Sequence, residues 1–134
     1  MKILAAVVAF PLALGLAPAA AAEDMSMPEF IKQTFPEAAQ KAAWAEEQAV
    51  MNPKGALDGK TKHLIALGVA AQIPCEYCVY FHVRAAKAQG ATEAQIKEAV
   101  AAAGVTRKWS TVLNGSAYDF AKFRQQVDAR FGGH

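Results

Sequence analysis

Apolar residues recur at helical spacing along most of the chain, and breaks in this pattern divide it into helical segments. Pro36, the turn Asn52-Pro53-Lys54-Gly55 and Gly90 mark some of these breaks. Alanine is frequent and runs of β-branched residues are scarce, so the pattern predicts an all-α domain of about six helices. The expected helices span residues 26–35, 36–51, 59–71, 75–89, 92–103, 106–113 and 117–131, and the last two join if residues 114–116 are a kink rather than a break.

Two helix starts carry side chains that can cap them. Asp58 precedes the helix expected from Gly59 to about Ala71, where its carboxylate can accept a backbone N–H. Thr92-Glu93-Ala94-Gln95 has the sequence of a capping box and opens a helix expected to end at Gly104. The helix after Asp58 is expected to be largely buried, because its apolar residues include Leu64, Ile65, Leu67 and Val69.

The first 22 residues have the organisation of a secretory signal peptide. A short basic start, Met1-Lys2, precedes an apolar run, and Ala20-x-Ala22 fits a cleavage site before Glu23. The run is short for a membrane span, and the alternative interpretation is an uncleaved anchor. We therefore expect one domain in residues 23–134, exported to the periplasm and without a stable membrane anchor.

The charges argue against nucleic acid as a partner. The chain has 14 Lys and Arg against 12 Asp and Glu, and these residues are mixed along it without a basic stripe. A domain of this size buries a limited core by itself, so association with further copies would stabilise it. A homo-oligomer is the expected assembly.

The chemistry is concentrated between Ile73 and His82, which include both cysteines and one of the three histidines. Pro74 suits a helix start, and Cys75, Cys78 and His82 then share one helix face because they are spaced three and four residues apart. Backbone N–H groups at a helix start stabilise a thiolate, which is the reactive form of cysteine, and His82 can accept the thiol proton. Two thiols at this spacing can also close a disulfide. The pattern favours redox chemistry over a structural disulfide or two buried thiols.

His63 lies in the preceding helix, twelve residues before Cys75. The connection Gln72-Ile73-Pro74 is short, so the two helices are expected to pack as neighbours and His63 can approach the thiols. Taken alone, His63 is also compatible with a surface histidine or a buried one with its hydrogen bonds satisfied. A further hypothesis is a zinc site, with Cys75, Cys78, His82 and His63 as ligands.

Several segments in a fixed order carry a family resemblance. They are Leu57-Asp58-x-Lys60-Thr61-Lys62, Leu64-Ile65-Ala66-Leu67, Cys75-x-Tyr77-Cys78-x-x-x-His82, Ala85-Ala86-Lys87-Ala88-x-Gly90-Ala91-Thr92, Glu93-x-Gln95-Ile96 and Glu98-Ala99. With these segments, residues 57–100 resemble the alkyl hydroperoxidase D-like, carboxymuconolactone decarboxylase family. Their order and spacing are more specific than the Cys-x-x-Cys motif alone.

The resemblance implies an all-helical subunit with a central Cys-x-x-Cys helix that assembles into trimers or hexamers. It also implies a peroxidase that reduces hydroperoxides with its cysteine pair and a proton relay, without a cofactor. By position, Cys78 is similar to the peroxidatic thiol, Cys75 to the resolving thiol and His82 to the relay histidine. The helix-start argument alone favours Cys75 as the thiolate, whereas the neighbouring His82 favours Cys78.

The chain departs from the family pattern at two positions. The family usually has Glu where this chain has His63, and its relay can add a histidine where this chain has Tyr77. A neutral imidazole can accept a proton as a carboxylate can, so either His63 serves in the relay or the relay is weakened. The family's peroxidases are cytosolic and draw electrons from a dithiol partner, so an exported member needs another, unknown dithiol reductant.

These observations leave several functions open. The leading hypothesis is an exported thiol-dependent peroxidase with an antioxidant role. The alternatives are a thiol–disulfide oxidoreductase without peroxidase activity, a zinc-binding Cys/His protein, and a helical oligomer that keeps only the scaffold. The decarboxylases of the same family do not depend on the cysteine pair, so its presence favours the redox branch over decarboxylase activity.

Overall fold

The computed structural model describes residues 26–132, which form six α-helices and no strand. The expected signal peptide and its cleavage site lie outside these residues. The all-α prediction is confirmed for the described part of the chain. The helices are α1 (Glu29–Thr34), α2 (Glu37–Val50), α3 (Gly59–Gln72), α4 (Glu76–Ala88), α5 (Glu93–Gly115) and α6 (Phe120–Phe131).

Helix α3 lies between α4 and α5 and packs against both, while α1 packs against α2. The core between these helices is small: Leu67 is 1% exposed and lies with Ala86, Ala91 and Ile96. Helix α5 lies close to α3 at Gly68, where a Cβ would be in van der Waals contact with the Ala103 Cβ at 3.4 Å. The short connection after α3 therefore makes α3 and α4 neighbours, as expected.

Both predicted caps are present. The Asp58 carboxylate accepts the backbone N–H of Thr61 at 2.8 Å and begins α3, and this bond lowers the pKa of Asp58. At α5, the Thr92 hydroxyl accepts from the Gln95 N–H at 3.2 Å, and the Gln95 side chain accepts from the Thr92 N–H at 3.0 Å. Gly90, between α4 and α5, has a φ of +83°, a conformation that glycine adopts without strain.

The expected helix end at Gly104 is wrong. Helix α5 continues through Gly104 to Gly115, so the segments predicted at 92–103 and 106–113 are one helix. A glycine inside a helix costs only ~1 kcal/mol relative to alanine, and no proline or alternative cap stops the backbone here. Of the kink or break expected at residues 114–116, the structure shows a break, since α5 ends at Gly115 and Ala117 takes a left-handed φ of 49°.

Two further expectations need correction. Helix α3 is not largely buried, because Ile65 is 55% and Val69 is 56% exposed on the face turned away from the core. The last helix begins at Phe120 rather than Ala117, since the Asp119 carboxylate accepts the Lys122 N–H at 2.7 Å and caps it there. No helix within residues 26–132 has the length and apolar character that a membrane span requires.

Candidate active site

The two cysteines form the start of α4. Cys75 is the N-cap residue, and its Sγ accepts the backbone N–H of Cys78 at 3.2 Å. The Cys75 N–H in turn donates to the Ala70 carbonyl near the end of α3, at 3.1 Å. Pro74 therefore lies just before the cap rather than in the first turn. Cys75 and Cys78 are joined by a disulfide with their Cα atoms 5.3 Å apart, and both are partly exposed.

Behind the cysteines, a histidine pair connects α3 and α4. The Nδ1 atoms of His63 and His82 lie 3.1 Å apart, although the residues are nineteen positions apart in sequence. Only one hydrogen can occupy such a contact, so one ring donates its Nδ1–H and the other accepts through a bare Nδ1. His63 is buried and His82 half-buried, so His63 is not a surface histidine.

An aromatic ring encloses this pair on one side. Phe81 meets His63 edge-on with 6.0 Å between ring centroids, and it meets His82 edge-on at 5.1 Å. Phe81 is itself 45% exposed, so its ring covers the two imidazoles on this side only. Phe81 was not singled out from the sequence, although its position directly before His82 is the signal that could have found it.

Burial sets the protonation of both histidines. It lowers the pKa of His63 below the ordinary 6.5, and the carboxylate of Glu47 on α2 acts in the opposite direction. Burial also lowers the pKa of His82, and the neighbouring His63 lowers it further. Both imidazoles are consequently neutral near pH 7, which is the state that a proton acceptor needs.

Of the four predicted residues, Cys75 and Cys78 are bonded to each other and His63 contacts His82, while His82 lies one helical turn after Cys78 on α4. Tyr77, at the position where the family's relay can carry a histidine, is 82% exposed and takes no part in the histidine pair. Glu47 was missed by sequence reasoning. Glu47 lies three residues after Trp44 and four residues before Met51. This helical spacing is the signal that could have placed it on the same face of α2 as these two residues.

The zinc hypothesis finds no support in this geometry. Within residues 26–132, no three His, Cys, Asp or Glu side chains are arranged so that they could hold a metal ion. The physical reason is that zinc binds thiolates, and the sulfurs of Cys75 and Cys78 are instead bonded to each other. The set of Cys75, Cys78, His82 and His63 is therefore a disulfide beside a histidine pair.

A separate groove runs between α3 and α5, with a volume of about 630 Å³. Its lining is mainly apolar, with Leu64, Ile65 and Val69 on one side and alanines of α5 on the other. None of the four site residues lines it, so this groove is distinct from the cysteine and histidine site.

Comparison with known proteins agrees with this architecture. Residues 36–122 match the carboxymuconolactone decarboxylase family over more than half of the chain, and the protein belongs to that family. The resemblance expected from the Cys-x-x-Cys segment and its flanks is thereby confirmed.

Two individual proteins are similar to this chain. The crystal structure of the alkylhydroperoxidase AhpD core from Rhodospirillum rubrum superposes with a TM-score of 0.58 at 33% identity, covering 61% of this chain and 60% of that one. Uncharacterized protein 4 in the cox locus of Paracoccus denitrificans is 43% identical over 67 residues. That alignment covers 50% of this chain and 55% of the Paracoccus protein, so the chain matches only about half the length of this relative.

Proposed function

We propose that this protein is a thiol-dependent peroxidase that reduces hydroperoxides. One observation carries the proposal: Cys78 of the disulfide at the start of α4 lies one helical turn before His82, which forms a neutral pair with His63. A redox-active sulfur pair and a proton acceptor are the two groups that peroxide reduction by thiols requires. Family membership and the similarity to an alkylhydroperoxidase core support the same chemistry.

The reaction runs in three steps. The Cys78 thiolate attacks the terminal oxygen of R–O–O–H, the O–O bond breaks, and its electron pair leaves on RO⁻, which takes a proton to become ROH. The sulfur is oxidised to a sulfenic acid, S–OH. The Cys75 sulfur then attacks Cys78, an S–S bond forms, and the hydroxyl leaves as water after taking up a proton. An external dithiol reduces the disulfide by thiol–disulfide exchange and is itself oxidised.

Two features of α4 favour different cysteines as the peroxide-reacting thiol. The Cys78 N–H points at the Cys75 sulfur, and the helix start therefore favours a thiolate at Cys75. Cys78 instead has His82 one turn further along α4, and this imidazole can remove its proton directly. We assign the peroxide-reacting thiol to Cys78 because attack needs a route for the proton as well as a stabilised anion, and Cys75 is then the resolving thiol.

The location and partners belong to the same proposal. The N-terminal pattern favours export to the periplasm with cleavage after Ala22, and such a protein needs a dithiol reductant in that compartment. Mass spectrometry of the native protein should find Glu23 at the N-terminus, and an intact Met1 segment would overturn this part of the proposal. The zinc-binding alternative has no supporting observation in the described residues.

We further propose a homo-oligomer, a trimer or a multiple of it. Large apolar side chains on α5 and α6 are exposed, among them Trp109 at 54%, Phe120 at 70% and Phe131 at 74%. A monomer rarely leaves that much apolar surface in water, and association would cover it. Light scattering at micromolar protein should give a multiple of three subunits, whereas a monomer would contradict the proposal.

A stopped-flow measurement tests the enzymatic function. Protein reduced with a dithiol and freed of it should consume hydrogen peroxide or an organic hydroperoxide much faster than free cysteine does, with one disulfide formed per peroxide. Protein in which Cys75 and Cys78 are both serine is the control. A reduced wild-type protein that reacts no faster than free thiol with any hydroperoxide would overturn the proposal.

A thiol–disulfide oxidoreductase without peroxidase activity is the second candidate. It is favoured by the capping hydrogen bond on Cys75, which stabilises the thiolate that thiol–disulfide exchange uses. Reduction of a small disulfide substrate by the reduced protein, without peroxide consumption, would select this function over the first.

A further inference from the structure

Helix α2 carries one acidic residue on its inward face. Three of the four charged residues of α2, namely Glu37, Lys41 and Glu46, are exposed, whereas Glu47 is half-buried. Glu47 shares this face with the half-buried residues Ala39, Gln40, Ala43 and Trp44, and with Met51 just after the helix. A charged side chain in a stripe of this kind is uncommon, because burial penalises the charged form.

The turn after α2 brings this face to the beginning of α3. The Lys62 ammonium donates to the Asn52 carbonyl at 2.8 Å, and a Cβ on Gly59 would lie 3.2 Å from the Pro53 Cβ. Glu47 is about one turn before the end of α2, and His63 directly follows Lys62. These contacts hold the turn after α2 against the first turns of α3, where His63 lies, and the charge of Glu47 raises the pKa of His63 against the effect of burial.

Within residues 26–132, Glu47 is the charged group that shifts the pKa of His63. Helix α4 contributes His82 and Phe81, and the residues of α5 near Leu67 and Gly68 are the apolar Ile96, Ala99 and Ala103. Arg107, further along α5, is exposed and lines the separate groove between α3 and α5. The titratable residues at the start of α5 are exposed, and so is Arg84 on α4. On α3, Lys60 and Lys62 are partly exposed, and the Lys62 ammonium donates a hydrogen bond to the Asn52 carbonyl. Among the described residues, Glu47 is thus the carboxylate that acts on His63.

We propose that Glu47 is a positioning residue for the relay: its carboxylate stabilises a proton on His63 that has come from Cys78 through His82. The inference rests on the peroxidase function proposed above. His82 donates its Nδ1–H to His63 and keeps Nε2 free for the thiol proton. When the Cys78 proton arrives at Nε2, the Nδ1 proton passes to His63, and an imidazolium forms beside the Glu47 carboxylate. The leaving alkoxide later takes the proton back along the same route.

In this proposal the carboxylate of the relay comes from α2, because position 63, where the family usually has Glu, is a histidine in this chain. The negative charge then lies beyond both imidazoles, one imidazole further from the thiol than a carboxylate at position 63 would be. A carboxylate next to a thiolate would raise its pKa, whereas a distant carboxylate assists the proton without opposing the thiolate. The Glu47, His63, His82 and Cys78 side chains form a relay in that order.

Glu47→Gln tests the inference, with Glu46→Gln as the matched control because the two changes remove the same charge from adjacent positions, one inward and one exposed. Histidine titrations by NMR on the full oxidised chain should show the pKa of His63 lowered by Glu47→Gln and unchanged by Glu46→Gln, with His134 as an internal reference. Glu47→Asp should restore part of the difference. Equal His63 pKa values in the two glutamine variants would overturn the inference.

The reduced enzyme gives a second measurement. In Glu47→Gln, the rate of peroxide consumption should fall by up to about tenfold at its plateau, and its acid limb should move to lower pH, because the acceptor has become a weaker base. In a His63→Ala background, Glu47→Gln should have no further effect, since Glu47 acts through His63. If Glu47→Gln lowered the rate of peroxide consumption by the same factor in the His63→Ala protein as in the wild type, the inference would be overturned.

The two proposals can fail separately. If no hydroperoxide is reduced by the wild-type protein, the peroxidase function fails, and the NMR titration alone still decides whether Glu47 acts on His63. If peroxide is reduced but the two glutamine variants behave identically in both measurements, the function stands and the role of Glu47 is wrong.

Discussion

Residues 59–103 and residues 104–131 are both helical and both carry large apolar side chains, but only the first region buries them in a core. The first region packs α3 against α4 and the first half of α5, and its centre is Leu67 at 1% exposure. The second region, made of the rest of α5 and α6, exposes Val105, Trp109, Phe120 and Phe131 by half or more. Helix α6 carries an apolar stripe of its own, yet it makes no extensive packing contact with the helices described here.

The difference shows where each region obtains its stability. In the first region, apolar burial, two side-chain caps and a disulfide all act within one subunit, so the site is preorganised there. In the second region, propensity and the Asp119 cap specify the helices, but their apolar surface remains to be covered. We expect the chemistry to depend on the first region and the assembly to depend on the second.

The largest expected effect is at the cysteines. Cys78→Ser should abolish peroxide consumption, because the attacking sulfur is gone, and no sulfenic acid should be trapped at Cys75. Cys75→Ser should permit one attack and leave a sulfenic acid on Cys78 that cannot resolve. Trapping with a sulfenic-acid reagent followed by peptide mass spectrometry measures both results. Sulfenic acid forming on Cys75 in Cys78→Ser at the wild-type rate would reverse the assignment.

The histidines should give the next largest effect. His82→Ala should slow the attack by ~10²–10⁴-fold, the usual loss when a general base is removed. His63→Glu should retain or raise activity, because a carboxylate at this position can also accept a proton. Single-turnover kinetics at saturating hydroperoxide distinguish the two variants. A His82→Ala protein with wild-type kinetics would remove the relay from the mechanism.

A matched pair of truncations contrasts the regions directly. Leu67→Ala should lower the free energy of unfolding by about 2–5 kcal/mol, because it opens a cavity in the core. Phe131→Ala should change the stability of the single subunit by less than about 0.5 kcal/mol, since this ring is mostly in water, and should weaken association instead. Urea unfolding at several protein concentrations separates these effects. If both variants lost the same free energy of unfolding at every protein concentration, the two regions would not differ as described.

The smallest expected effect is on the pH dependence of stability. The pKa values of His63 and His82 lie below 6.5 in the folded protein, so the unfolded chain binds more protons in the window just below that value. The free energy of unfolding should therefore fall as the pH drops through this window. Replacement of both histidines by glutamine should flatten the curve there, as urea titrations across the window would reveal. An unchanged slope would mean that other groups control it.

Much of the fold followed from local signals in the sequence. The caps at Asp58 and Thr92 and the left-handed Gly90 placed three boundaries correctly, because each depends on a side chain or conformation within a few residues. The Cys-x-x-Cys segment and its flanks likewise identified the family, and the segment placed the cysteines at the N-terminal end of α4. The end at Gly104 failed for a related reason: a glycine permits a helix end but does not compel one.

The sequence by itself determined the six-helix pattern, the helix face shared by Cys75, Cys78 and His82, and the class of chemistry that this face can perform. Only the tertiary structure decided that His63 is buried against His82, that Phe81 packs edge-on against the pair, and that Glu47 on α2 raises the pKa of His63. The physical reason is distance along the chain. Helical spacing aligns residues three or four apart, whereas contacts across nineteen or sixteen residues depend on how α2, α3 and α4 pack.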